Sequence, residues 1–223
     1  MKTREKIILT SLELFNEQGE RNVTTNHIAA HLGISPGNLY YHFRNKSDII
    51  YDIFQEYEKL VDYYLDIPTD RPLTVDDMMG YLESVFDGLW SYRFFHRDLE
   101  FLLDNDQRLR EDYRKFTYRC LDAIRRIFDG LRDGGVFHDQ SEELKEAMAL
   151  NVWLVITHWM AFLKSAQPSD SGSDSIRPEQ LKEGIYQVLT LEMPYLREPY
   201  RDQVMALRAQ YRPSVMAKKA VNG

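Results

Sequence analysis

The chemistry-bearing residues of this chain gather between Thr24 and Lys46, and they suit binding better than bond-making. Asn38 can donate and accept hydrogen bonds at a base edge, the hydroxyls of Tyr40 and Tyr41 can reach phosphates, and Gly37 lets a backbone approach closely. Lys46 adds its charge at the expected start of a helix, where the dipole also favours an anion. His27 and His31 stand at metal-ligand spacing, but Ile28-Ala29-Ala30 between them lacks the glutamate of a zinc protease helix. A structural or DNA-backbone role is expected for both histidines, and no metal site. The chain has no Gly-x-Ser-x-Gly elbow, phosphate-cradling glycine loop or Cys-x-x-Cys, and the pairs Asp76-Asp77 and Glu142-Glu143 carry no further signature. Neither an enzyme nor a cofactor is expected.

Helices must position these residues. Apolar residues recur at helical spacing almost throughout, and no stretch alternates strictly enough for a sheet, so the fold class is all-α. Ile7, Ile8, Ser11, Leu12 and Phe15 mark one face of a first helix that Gly19 can end. Thr24 or Thr25 can cap a second helix whose inward face is Ile28, Ala29 and Leu32. Gly33-Ile34-Ser35-Pro36 then reads as a tight turn into a third helix, with Ser35 as N-cap and Pro36 at the first helical position. Projected at ~100° per residue, Leu39 and Phe43 point inward while Gly37, Asn38 and Tyr41 point out, with Tyr40 on the flank. Two short helices joined by a glycine-containing turn make a helix-turn-helix, whose second helix can enter the DNA major groove.

The run Phe15, Gly19, Thr24, Ile28, Ala29, Gly33, Ile34, Ser35, Gly37, Leu39, Tyr40, Tyr41, Phe43, Lys46 resembles the N-terminal domain of the TetR family of bacterial regulators. The resemblance covers residues 5 to 50, with Ser11 where the family commonly has alanine. It implies phosphate contacts for Thr24 or Thr25, Tyr40, Tyr41, His42 and Lys46. It also lays Ser35, Pro36, Gly37 and Asn38 against the bases. A helix-turn-helix domain over residues 1–47, a helical effector-binding and dimerisation domain over 48–213 and a disordered tail over 214–223 are expected.

Beyond the head, Asn45 and Asp48 can begin a long fourth helix, and further helical patterns run over residues 74–92, 97–104, 106–133, 141–166, 177–196 and 198–211. Breaks are expected at Gly134-Gly135 and across Ser169 to Ser175. Residues 147–163 are apolar nearly all round, which requires burial on two sides, and a partner subunit is the economical second cover. The resemblance implies a homodimer built from residues 141–166 and 177–196, with Gly184 allowing close approach. Dense aromatics between Tyr81 and Phe162 hold the candidates for an effector pocket: Trp90, Arg93, Phe94, Tyr118, Asn151 and His158, suited to an apolar or aromatic ligand. The stretch Tyr92 to Leu99 resembles one branch of these regulators.

The formal charge of −7 divides unevenly: residues 1 to 50 carry six basic against five acidic groups, leaving the acidic balance to the remainder. Cys120 is the only cysteine, which fits a reducing compartment. Lys2 to Lys6 run straight into a helical pattern with no signal-like opening, and the apolar run Val152 to Leu163 is shorter than the ~20 residues of a membrane span. A cytoplasmic regulator is expected, binding a palindromic operator as a ligand-responsive repressor. The open alternatives are an activator or partner-controlled regulator without an inducer, and an enzyme carrying a DNA-binding head.

Overall fold

The structure is a computed structural model that describes residues 1–166 and 176–213. The expected loop over 169–175 and the tail over 214–223 lie outside the described residues. The described chain is all-α: α1 (Thr3–Gln18), a 3-10 turn (Glu20–Asn22), α2 (Thr25–Leu32), α3 (Pro36–His42), α4 (Lys46–Tyr64), α5 (Val75–Ser91), α6 (Arg93–Arg97), α7 (Leu99–Asn105), α8 (Gln107–Asp133), α9 (Glu142–Ala166), α10 (Pro178–Lys182), α11 (Gly184–Glu192), a second 3-10 turn (Met193–Tyr195) and α12 (Glu198–Ala209). Its extended contact is one antiparallel bridge, Phe137 with Leu196.

The chain forms two compact units. The first joins Met1–Tyr63 to Ser91–Lys115, so α6, α7 and the start of α8 pack with the helix-turn-helix. Its core is aromatic: Phe15 lies 5.2 Å from Phe94 and Phe54 stacks on Phe95 at 5.5 Å, all four rings fully or almost fully buried. Polar ties close around this core. Tyr51 donates to Asp112 at 2.6 Å, which pushes its phenol up to about 12, and Arg108 reaches Asp48 at 3.1 Å.

The second unit, Tyr64–Trp90 with Phe116–Gly223, has an aliphatic and aromatic core in which Phe86, Leu131, Phe137, Ile185, Val188 and Leu189 are sealed from solvent. Lys145 is buried between α8 and α9, its Nζ 2.7 Å from Asp129 and 2.6 Å from Glu142, and both carboxylates hold its pKa above the usual lysine value. The single helix expected over 177–196 is instead α10, α11 and a 3-10 turn. The backbone tightens at Glu183, whose N–H bonds Gln180 three residues back, and Pro194 lies within the closing turn. Gly184 starts α11 against α9 and α5; a Cβ there would stand 2.6 Å from the Phe86 ring and 2.9 Å from Trp159.

Alone among the described residues, α9 has the length and hydropathy to cross a membrane. Met148, Val152, Ile156, Trp159 and Leu163 bury one of its faces in the core, while Leu150, Leu154 and Phe162 remain 47, 45 and 47% exposed.

Candidate nucleic-acid interface

The geometry of α2 and α3 follows from their ends. Thr24 is extended and its Oγ1 accepts from the N–H of His27 at 3.2 Å, which leaves Thr25 as the first residue of α2. Gly33 ends α2 in the left-handed region at φ 65°, ψ 30°, a conformation glycine adopts without penalty. Ser35 then caps α3, its Oγ accepting from the N–H of Asn38 at 3.2 Å, with Pro36 in the first turn. These caps fix the angle at which α3 leaves α2.

Leu39 and Phe43 anchor α3 in the core, 0 and 3% exposed. Ser35, Pro36, Gly37, Asn38, Tyr40 and Tyr41 are exposed together on the outer side, Tyr41 most of all at 84%. His42 is half-buried, its ring edge-on to Tyr41 at 5.1 Å. The Tyr40 hydroxyl lies 2.9 Å from Thr25 Oγ1, a bond that ties the flank of α3 to the first turn of α2. His27 and His31 are exposed on α2, and His27 Nδ1 accepts from the N–H of Thr24 at 3.4 Å, the structural alternative of the two roles expected of it.

Lys46 behaves differently from its reading as a cation turned to the phosphates. Its Nζ donates to the carbonyls of Glu20 at 2.9 Å and Val23 at 3.1 Å and pairs with Glu20 Oε1 at 2.6 Å, so the charge is spent inside the head. The buried Glu20 carboxylate draws it there, an attraction that helix spacing alone does not reveal. Arg44, which the sequence reading passed over, stands exposed between α3 and α4. Its signal was its position directly after α3. Arg4, by contrast, is paired with Asp52 of α4.

The six effector-pocket candidates are divided between the two units, Arg93 and Phe94 in the first and Trp90, Tyr118, Asn151 and His158 in the second. Phe94 is a core residue of the first unit, packed on Phe15 and Phe95. Arg93 belongs to that same unit, where burial and Arg97 pull its pKa below the usual arginine value. Trp90 packs half-buried on the core of the second unit. Tyr118, Asn151 and His158 are exposed on α8 and α9. Aromatic density located the cores, and helical spacing could not separate core from pocket.

Comparison with known proteins agrees with this architecture. Residues 7–53 match the family described as bacterial regulatory proteins, tetR family, and residues 56–204 match the family described as bacterial transcriptional repressor. An HTH-type transcriptional regulator of Staphylococcus aureus is 44% identical over 52 residues, a match that spans 23% of this chain and only 28% of that relative's length. The crystal structure of a TetR-family transcriptional regulator from Marinobacter aquaeolei VT8 superposes with a TM-score of 0.88 at 71% identity, covering 96% of this chain and all of that one. SmeT, the repressor of a multidrug efflux pump of Stenotrophomonas maltophilia, shares the fold at 18% identity and a TM-score of 0.60 over 89% of this chain and 92% of its own, and has been solved in complex with triclosan. An exposed α3 capped by Ser35 on a helix-turn-helix head, followed by a helical body that matches the family over residues 56–204, makes this chain a member of the TetR family of DNA-binding transcription regulators.

Proposed function

We propose that the protein is a cytoplasmic homodimeric repressor that reads a palindromic operator with α3 and releases it on binding a small molecule. The observation that carries this reading is the outer face of α3, where six consecutive-turn positions from Ser35 to Tyr41 are exposed while Leu39 holds the helix down. In this reading Asn38 and the backbone at Gly37 meet base edges, Tyr40, Tyr41, Thr24 and Thr25 meet phosphates, and Arg44 adds a further charge. Lys46 acts indirectly by fixing the turn before α2 to the first turn of α4. Leu150, Leu154 and Phe162 on α9, with Leu191 on α11, supply the apolar surface for a second copy. The SmeT–triclosan complex supports an apolar or aromatic effector by kinship of fold.

The test is enrichment of fragments of the source genome on the purified protein, repeated with fractionated metabolites. A short inverted repeat that is retained, then lost with one fraction, is the expected result. Retention unaffected by every fraction would leave a regulator without an inducer, and no retention would refute operator binding.

A further inference from the structure

A crevice of about 420 Å³ opens within the first unit, between the 3-10 turn after α1, the start of α4, and the end of α7 with the start of α8. Its volume lies in the range of small-molecule sites. Ile50, Leu102 and Leu109, each at most 4% exposed, make its lining apolar where it meets the core. Ser47 and Asn105 are exposed lining residues, and Phe101 carries the Arg21 guanidinium 4.1 Å over its ring.

Three of the four charged side chains in the lining are matched inside the protein. Lys46 is paired with Glu20 at 2.6 Å, and Asp106 accepts from Arg108 at 3.4 Å and from the N–H of Leu109 at 3.1 Å. Arg21 is the exception: it is exposed, and its side chain makes no ion pair or hydrogen bond with any described residue. The Phe101 ring localises the guanidinium without neutralising it, because the contact is an attraction to the ring quadrupole. A planar fork of N–H donors held in this way beside an apolar surface suits a carboxylate, which it can take through two parallel hydrogen bonds. A cationic ligand would meet Arg21 as a like charge, and a neutral one would leave it without a counterion. One unmatched cation calls for one negative charge.

We propose that this crevice binds a small apolar molecule bearing one carboxylate. The apolar body lies on Ile50, Leu102 and Leu109, and the carboxylate pairs with the Arg21 guanidinium. The site differs from the Trp90-to-His158 set in place and in composition. Its use as an effector site rests on the ligand-responsive reading above: Arg21 belongs to the 3-10 turn Glu20–Asn22, which leads into the Thr24 cap, so an occupant that grips Arg21 acts on the mounting of α2 and α3.

The probes are 4-propylbenzoate and 4-propylbenzamide, which share a body and differ in the charge. Amide spectra of the full-length protein are followed during titration at neutral pH, and retention of genomic fragments is measured on the same samples. The benzoate is expected to shift the amides of Ser47, Ile50, Leu102 and Asn105 and to bind roughly ten-fold more tightly than the benzamide. Arg21→Gln should remove that preference and leave both probes equally weak, while Arg21→Lys, which keeps the charge without the fork, should retain part of it. Asn105→Trp, an exposed lining change that spares the fold, should weaken both probes. Shifts confined to α5 and α9–α11, equal binding of the two probes, or a preference unchanged in Arg21→Gln would overturn the site. Failure of the benzoate to bind, with genomic retention weakened by Arg21→Gln alone, would overturn it in favour of a DNA phosphate as the partner of Arg21. Binding here with DNA retention unaltered would uphold the site and overturn its effector role. Retention lost to a metabolite that leaves these amides unmoved would uphold the ligand-responsive reading and overturn this crevice as its site.

Discussion

Lys46 and Glu20 show how one buried charge redirects another. A lysine at the start of a helix reads as an anion contact, yet Glu20 is nearly sealed and its carboxylate takes the ammonium, with two carbonyls completing the set. Lys46→Met leaves that carboxylate uncompensated, and thermal or denaturant unfolding should show a loss of about 3 kcal/mol. A change below about 0.5 kcal/mol would mean the pair is no more than a surface contact. Glu192 offers a separate prediction. It is buried in the second unit with Oε2 unpartnered, and burial pushes its pKa from 4.5 to about 8. The unfolded chain therefore ionises first, and the folded state loses stability as pH rises from about 4.5 towards 8. Glu192→Gln should remove this slope, gaining on the wild type by an amount on the order of a few kcal/mol between pH 5 and pH 8. Parallel stability-against-pH curves for the two proteins would refute the assignment.

At the scale of elements, the local signals in the sequence were strong where a cap is a side chain and weak where a break is a packing event. Ser35, Pro36 and Gly33 announce the start of α3 and the end of α2, and the structure uses each as its chemistry suggests. The division of 177–196 into α10 and α11 has no such signature, because it follows from how α11 docks. Nor did spacing foresee α6, a five-residue helix inside an aromatic stretch. Gly184 is the point where docking is tightest, and Gly184→Ala places a methyl group against Phe86 and Trp159. The expected cost is about 1–3 kcal/mol by denaturant titration, although alanine favours helix over glycine. A neutral or stabilising result would show that the two rings yield freely.

For the molecule as a whole, fold class and the exposed third helix of the head were legible because caps, turn and apolar stripe agree within about forty residues. The lining of a pocket was not, since aromatic residues fill a core and a pocket with the same periodicity: Phe94 is core of the first unit, and Tyr118, Asn151 and His158 are exposed. The all-round apolarity of α9 has a visible origin, with one face in the core and Leu150, Leu154 and Phe162 left outside. Leu154→Glu places a charge in that exposed stripe. In light scattering it should convert a dimer to a monomer at micromolar concentration while the helical spectrum is kept, and an unchanged mass would move the dimer surface elsewhere.

The most direct measurement is the affinity of the full-length protein for its enriched genomic fragment, compared between the wild type and the exposed double variant Asn38→Ala, Tyr41→Ala. Both side chains lie outside the core, so unfolding and the mass in solution should not change. The account predicts a loss of specific binding of at least a hundred-fold, roughly 3 kcal/mol, with non-specific binding only slightly weakened. Equal affinity for the fragment would contradict the claim that α3 reads the DNA.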